Sequence, residues 1–331
     1  MATMTIQDWA KAADVYVKNN TKIIDGMFAR ALTTTLDAHA KKITKVKGEF
    51  PQFHSILTHV VQGFTTEWNE LGTAEFKHKV LQNFHQKVNY PIIPAEILPS
   101  ALAELYEEDK PIKNKAIVKY ILNDLMNKVK DDIEILSITG TYDSASLGVF
   151  GNAMDGIVKK VDDAVANTDH PAYRIPLNAL TDDNIVDEIT TFERKLPKFM
   201  KKKIKKIFIS ENNLERYQLN YEDRFGAKTT YKEGDKTKTR LGKRILVGIP
   251  DLPDDVIFAT IDGNLAKLVD IYNKPAFTDF QVQDYKLKVF MEWWLGYDFL
   301  INEAVFVANF VDTTEGLGNA DLMAKYYPHS A

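Results

Sequence analysis

The spacing of apolar residues predicts helices in the first part of the chain and mixed helices and strands afterwards. Apolar positions recur every three and four residues in 5–17 and again in 23–47, which we expect to form two helices. A longer stripe of the same period predicts a helix over 111–135, with a proline in its first turn. After residue 150 we expect strands at 206–210, 244–249, 256–260 and 282–294, two further strands within 299–310, a helix at 211–225 and a turn at Gly296.

Residues 76–92 show a different pattern. Even positions are mostly apolar and odd positions mostly polar, which is typical of a half-buried strand. Phe76, Val80, Phe84 and Val88 also fit a helical spacing of four, so a helix remains an alternative here. A single strand of this length would reach roughly 55 Å at ~3.3 Å per residue, longer than most strands in a compact domain. We therefore expect it to project from the body.

A projecting segment needs a second surface on which to bury its aromatic side chains. We expect Trp68, Phe76, Phe84 and Tyr90 to be exposed and to anchor contacts between subunits. Buried aromatic anchors contribute a large share of the binding free energy of protein interfaces. The helical alternative would instead bury the same stripe inside one subunit.

Composition and charge exclude several classes of protein. The 331 residues include 42 Lys and Arg against 46 Asp and Glu, so the net charge of −4 gives no overall attraction for nucleic acid or anionic membrane. The chain has no cysteine, which excludes disulfides, thiolate metal sites and cysteine nucleophiles. No apolar run approaches the ~18 residues of a membrane span. We predict a protein that is not exported and has no membrane contact.

Motifs for catalysis or cofactor binding are absent from the sequence. The glycine-containing stretches lack the spacing of phosphate-binding loops, and no HExxH, EF-hand or GxSxG pattern occurs. His54 and His59 lie five residues apart, which suits neither a helix face nor a strand face, and His78 and His85 fail similarly. We expect exposed or edge histidines, no metal, no cofactor and no enzymatic activity.

One basic run stands out, with six lysines in residues 198–206. We interpret it as a solvated helix end that leads into the next strand. The alternative is a non-specific contact of Lys201, Lys202 and Lys203 with phosphates of nucleic acid.

Several local strings resemble those of one family. They are Ile133-Glu-Ile-Leu-Ser with Gly140-Thr-Tyr-Asp, Phe150-Gly-Asn-Ala-Met-Asp-Gly-Ile, Ile207-Phe-Ile-Ser with Tyr217, Gly248-Ile-Pro, Ile257-Phe-Ala-Thr, Gly263-Asn-Leu, Gly296-Tyr-Asp-Phe and Asn302-Glu-Ala-Val. With the order of the elements, they resemble the major capsid proteins of tailed bacteriophages, which have the Hong Kong ninety-seven-like fold.

This resemblance implies an α+β fold and a role in a phage head. The implied parts are an N-terminal arm and lead-in (1–62), an extended loop (63–99), a peripheral domain with a long spine helix (100–149), an axial domain (150–280), and long peripheral-domain strands with a C-terminal tail (281–331). The implied function is a structural subunit of an icosahedral virion capsid, made in the cytoplasm of the bacterial host. It would self-assemble into pentamers and hexamers around packaged double-stranded DNA, with portal, scaffold or decoration proteins as further partners.

The chain departs from the family in two respects. No long charged segment precedes the arm, so we expect a scaffold that is separate or already removed. Some members join a lysine of the extended loop to an asparagine with the help of a glutamate. Lys77, Lys79 and Lys87 lie in the right region, but no partner is identifiable, so this cross-link is not predicted. Two alternatives stay open: an encapsulin-like nanocompartment shell, and an enzyme whose site follows no recognisable motif.

Overall fold

Helices and strands are mixed throughout the computed structural model, which describes residues 21–57, 60–72, 74–93, 114–226, 237–270, 276–283 and 286–328. The helices are α1 (Thr21–Ala31), α2 (Asn114–Thr139), α3 (Ile157–Ala166), α4 (Ile185–Lys195), α5 (Glu211–Phe225) and α6 (Ala320–Tyr326). The strands are β1 (Lys41–Ile43), β2 (Glu49–Leu57), β3 (Ala74–Gln82), β4 (Phe84–Ile92), β5 (Tyr173–Pro176), β6 (Lys206–Ser210), β7 (Ile245–Ile249), β8 (Phe258–Thr260), β9 (Leu265–Val269), β10 (Ala276–Gln283), β11 (Lys286–Phe299) and β12 (Val305–Asn309). Short 3-10 helices cover Thr35–Ala38, Met200–Lys202 and Asn302–Ala304.

The longest described strand, β11, organises one sheet, here called the β11 sheet. Strands β10, β4 and β9 all pair with β11 in antiparallel fashion, along Lys286–Glu292, Leu287–Leu295 and Leu295–Phe299 of β11 respectively. Strand β1 adds to β9 in parallel. Val289, Met291 and Trp293 are buried at every second position of β11, so the strand period predicted there is confirmed.

Helix α2 packs beside this sheet and shares its main hydrophobic core. Its buried side chains, such as Leu122, Met126, Val129 and Ile133, recur at the helical spacing that the sequence predicted. Helices α1 and α3 contact α2, and α3 also contacts β11. The prediction of a long helix is therefore confirmed from Asn114 onwards.

A second sheet has the strand order β5-β12-β8-β6-β7 and its own hydrophobic core. Strand β6 and helix α5 have the predicted bounds. Ser210 begins α5 as its N-cap, where its hydroxyl accepts a hydrogen bond from the backbone N–H of Asn213. Helix α4 packs against α5, and α5 packs on β6 and β7. This cap and the regular apolar spacing explain why the bounds of β6 and α5 could be predicted from the sequence.

The helix predicted over 23–47 is too long. Helix α1 ends at Ala31, and the chain then forms a 3-10 helix and strand β1. Thr34 lies where the chain leaves the helix, and its hydroxyl fixes this position through a hydrogen bond with the hydroxyl of Tyr297 in β11, 2.7 Å away. The parallel pairing of β1 with β9 then sets the path of the following residues. The helix predicted over 5–17 lies outside the described residues.

Residues 76–92 form two strands instead of one. The break is Asn83, whose side-chain amide donates to the carbonyl of Val46 and accepts from the N–H of Gly48, at 2.8 and 2.7 Å. Strand β3 pairs with β2, whereas β4 joins β11. The strand conformation is confirmed and the helical alternative is wrong, but no single strand projects from the body.

The turn predicted at Gly296 is also wrong, because Gly296 lies inside β11. A Cβ atom at this position would lie 2.7 Å from the carbonyl oxygen of Gln82 and 2.8 Å from Cα of Asn83. The glycine therefore permits the junction of β3 and β4 to cross β11 at close range.

Candidate assembly surface

Strands β2 and β3 form a ribbon that is separate from both sheets. They pair antiparallel from Glu49 opposite Gln82 to Leu57 opposite Ala74. We call β2, β3 and residues 60–72 the hairpin. Its first strand begins at Glu49, before residue 63, and β4 belongs to the β11 sheet. The bounds of the extended loop, 63–99, stay a prediction.

The inner face of the hairpin, which lies against the body, carries mostly polar side chains. The ammonium group of Lys79 donates to the carboxylate of Asp298 at 2.6 Å, and to the carbonyl of Phe299 and the side-chain oxygen of Asn302 at 2.7 Å each. The side chains of Lys79 and Asp298 are both largely buried. Separation of the two side chains would leave a buried charge without its partner, which is strongly unfavourable. The ion pair therefore holds the base of the hairpin on the body.

Further inner-face contacts follow toward the tip. His54 lies 2.7 Å from the hydroxyl of Tyr326 in α6, and Glu75 pairs with Lys325 of the same helix at 2.6 Å. At the base, Leu81 is fully buried in a small apolar cluster with Val46 and with Ala266 and Leu268 of β9. The inner face is thus polar in its middle rows, with buried apolar side chains at Leu81 near the base and at Ile56 toward the tip.

The outer face of the hairpin is apolar and exposed to solvent. Its exposed large side chains are Phe53, Leu57, Phe76 and Val80. They project from the positions that alternate with the polar inner face. A ribbon with polar residues toward its own body and apolar residues toward solvent is the reverse of the usual arrangement, and such a patch indicates an interaction surface.

The tip of the hairpin extends this surface. Val60, Val61, Phe64, Trp68 and Leu71 are exposed there. Four aromatic side chains of the hairpin are between 65% and 95% exposed: Phe53, Phe64, Trp68 and Phe76. At about 150–250 Å² for each aromatic side chain, they expose roughly 500–800 Å². That area approaches the ~800 Å² that each partner buries in a protein interface of standard size.

The four predicted interface residues divide between the surface and the core. Trp68 and Phe76 are exposed on the hairpin, and Tyr90, 42% exposed, lies on β4. Phe84 is only 3% exposed, so the prediction that it is exposed is wrong. The break at Asn83 places the Phe84 ring in the core, with its centroid 4.6 Å from that of Tyr142.

A groove of about 720 Å³ lies beside Phe84, between α2, β4 and the loop over residues 140–156. Leu147, Val149 and Phe150 line it and are more than half exposed. The loop is closed by a hydrogen bond from the N–H of Gly156 to the carbonyl of Gly140, at 2.8 Å. The groove is a second exposed apolar surface, on the same side of α2 as β4.

The basic run is partly engaged in contacts within the subunit. Lys201 donates from its ammonium group to the carbonyl of Arg194 at 2.5 Å, and burial, with the nearby charge of Arg244, lowers its pKa. Lys203 lies 4.3 Å over the ring of Phe199. Lys202 and Lys203 are exposed, which leaves them available for an electrostatic contact. The phosphate contact of the three lysines stays a prediction.

The histidines differ in their surroundings. His78 is exposed on the hairpin, and His85 stacks on Trp294 with the ring centroids 4.6 Å apart. His54, in contrast, lies near His170 and Glu303, which are remote from it in sequence and which no spacing rule connects with it. Across the described residues there is no group of three or more His, Asp or Glu that could hold a metal ion. Nor does this part of the chain contain a helix with the length and apolarity of a membrane span.

Comparison with solved structures identifies the fold. The procapsid of satellite phage P4 with its size determination protein matches at a TM-score of 0.52 and 9% identity, over 88% of this chain and 99% of that one. The capsid of a native GTA particle matches at 0.53 and 12%, over 85% and 97%. The capsid of cyanophage A-1(L) matches at 0.53 and 13%, over 86% and 92%.

The chain has the Hong Kong ninety-seven-like capsid fold. The α+β class and the fold predicted from the sequence are thereby confirmed. No protein-family model and no curated protein matches the sequence. Because the identities to these capsids are so low, the likeness lies in the fold, and the domain bounds within the Hong Kong ninety-seven-like fold stay predictions.

Proposed function

We propose that this chain is the structural subunit of an icosahedral phage head and that it self-assembles into pentamers and hexamers around packaged double-stranded DNA. The observation that carries the proposal is the hairpin, which presents an apolar outer face on a subunit with a capsid fold. A surface of this size is unfavourable in a monomer and useful in an assembly.

The outer face of the hairpin would pack on a neighbouring copy of the chain. Trp68 and Phe76 would be its main anchors, and Tyr90 would add a contact from the body. Contacts between different surfaces of identical subunits generate closed rings when the rotation between copies closes. One hairpin contact, repeated around a ring, would thus join each subunit to the next.

Packaged DNA would meet the subunit through charge alone. Lys202 and Lys203 are exposed and could approach phosphates, while Lys201 is turned toward its own backbone. Such contacts carry no base specificity and weaken steeply with salt. Portal, scaffold or decoration proteins are the further partners that we propose for the complete head.

Isolation of particles that contain the chain tests this function. We expect closed particles in which double-stranded DNA is protected from nuclease. Particles that enclose a protein cargo and no DNA would contradict the phage-head proposal and support an encapsulin-like compartment. A soluble monomer with a catalytic activity would contradict both shell proposals.

A further inference from the structure

Four side chains from four parts of the chain meet where the hairpin touches the body. His54 lies on the inner face of β2, and Tyr326 on α6 is within 2.7 Å of its Nε2 atom. The Tyr326 hydroxyl donates to Oε1 of Glu303 at 3.0 Å. His170, just before β5, lies with Nδ1 3.0 Å from the same oxygen. We call these four residues the clasp.

The hydrogen bonds of the clasp assign the proton on His54. The single proton of the Tyr326 hydroxyl goes to Glu303, so the hydroxyl oxygen can only accept from His54. The Nε2 atom of His54 must therefore carry a hydrogen, and the neutral ring has none on Nδ1. That Nδ1 atom is buried and has no hydrogen-bond partner among the described residues. The clasp thus fits a neutral His54.

A second proton on His54 would be poorly accommodated. It would add a buried donor without an acceptor, and a positive charge near His170 and near Lys77 on the adjacent strand. Burial is the largest effect and lowers the pKa of His54; His170 and Lys77 lower it further, against an opposing attraction from Glu303.

Other ionisable groups also face the clasp. Glu75 and Lys325 pair at the edge of the clasp, and hydrogen bonds from Lys325 and Lys77 lower the pKa of Glu75. The pKa of Tyr326 is raised by burial and by Glu303, so its hydroxyl stays protonated. The same two causes raise the pKa of Tyr327, which packs behind it.

The position of His54 along the hairpin determines what it controls. His54 pairs opposite Lys77, one inward-facing row nearer the tip than the row that contains Lys79. Lys79 and Leu81 hold the base of the hairpin through contacts that need no histidine. Nearer the tip than His54, the body is contacted by the exposed ion pair of Glu75 with Lys325 and by the buried side chain of Ile56. Loss of the clasp would therefore weaken the attachment of the hairpin from His54 to the tip, with the row of Lys79 as the pivot.

We propose that the clasp is a pH-sensitive latch: neutral His54 holds the outer half of the hairpin on the body, and protonation of His54 releases it. The stability of the latched state should increase with pH, because His54 binds the proton less readily in the latched state than in the released state. The contribution of neutral His54 to the stability of the latched state is fully present above the ordinary histidine pKa of about 6.5 and is lost progressively as the pH falls below it. For one proton, the ratio of released to latched subunits rises at most about tenfold per pH unit.

Spin labels on introduced cysteines can measure this release in the full-length chain, which has no cysteine of its own. Ser55→Cys places one label on the outer face of β2 and Ala324→Cys a second on the exposed side of α6. Labelled chains are diluted with unlabelled ones, so that each distance lies within one subunit. We expect one short distance at pH 7.5 and a growing population of longer distances from pH 6.5 to pH 5.

Two variants distinguish the latch from general acid effects. His54→Gln retains a donor toward Tyr326 but cannot take up a proton, so its distances should not change over this range. His78→Gln removes a histidine from the opposite face of the same strand pair and should behave as the unaltered chain does. If His54→Gln does not fold, Tyr326→Phe should show the longer distances already at pH 7.5, because it breaks the link to Glu303.

Constant distances in the unaltered chain between pH 7.5 and pH 5 would overturn the latch. The same pH dependence in His54→Gln as in the unaltered chain would overturn it too. The latch involves contacts within one subunit only, so either result leaves the proposed capsid function standing. Conversely, a chain that never assembles can still show the latch.

Discussion

Replacement of Phe84 by alanine should destabilise the subunit itself. The ring is 3% exposed and belongs to the core shared by α2 and the β11 sheet. Burial of a phenylalanine side chain contributes about 1.5–3 kcal/mol, and truncation to alanine in a core costs about 3–5 kcal/mol. Since Phe84 also borders the groove, water can enter the space that the ring leaves. We therefore expect the lower end, about 3 kcal/mol of unfolding free energy.

Trp68→Ala is the matched variant, because it removes a large aromatic ring that the body does not cover. Trp68 is 91% exposed, so the free energy of unfolding should change by no more than about 0.5 kcal/mol. If Trp68 anchors a contact with a neighbouring copy, its loss costs about 2 kcal/mol at each contact. This corresponds to an association constant roughly 30-fold smaller.

Urea denaturation followed by circular dichroism, and sedimentation velocity at one protein concentration, separate the two effects. Phe84→Ala should unfold at lower urea, whereas Trp68→Ala should unfold as the unaltered chain does and lack closed particles. A Phe84→Ala variant with unchanged stability would refute the placement of Phe84 in the core. A Trp68→Ala variant that assembles normally would refute the role of the hairpin tip.

Three further predictions concern the hairpin base and the basic run. Lys79→Met leaves a buried carboxylate unpaired and should cost about 3–5 kcal/mol in urea denaturation; an unchanged midpoint would contradict the ion pair's burial. Gly296→Ala should cost about 1–3 kcal/mol by overpacking, whereas Gly63→Ala, with no atom within 4 Å of its added Cβ, should leave the urea midpoint unchanged. Lys202→Ala and Lys203→Ala should each reduce the salt dependence of any DNA binding by about 0.9 in log–log slope, and a base-specific footprint lost in either variant would contradict a purely electrostatic contact.

Elements with regular local signals could be predicted from the sequence. Helix α2 has an apolar stripe over many turns, and β6 and α5 are joined by a capping serine, so their bounds depend on neighbouring residues. Strand β3 has the predicted alternation as well. What the alternation cannot show is which of its two faces meets the body, since polar inner contacts resemble a solvated face.

The break at Asn83 and the clasp depend on contacts between residues remote in sequence. The alternation continues through Asn83, so nothing in the pattern separates Phe76, which is exposed, from Phe84, which is buried. The contact of His170 with Glu303 spans 133 positions, and no spacing rule reaches that far. The fold class was accessible through the order of elements and the family strings, whereas the side chains that hold the hairpin required the structure.

Electron microscopy of the purified full-length chain tests whether it is a shell subunit. We expect rings of five or six subunits or closed icosahedral particles, in which the outer face of each hairpin contacts a neighbouring copy. A population that remains monomeric at high concentration in sedimentation experiments, with the hairpin ordered and its aromatic side chains still exposed, would contradict it.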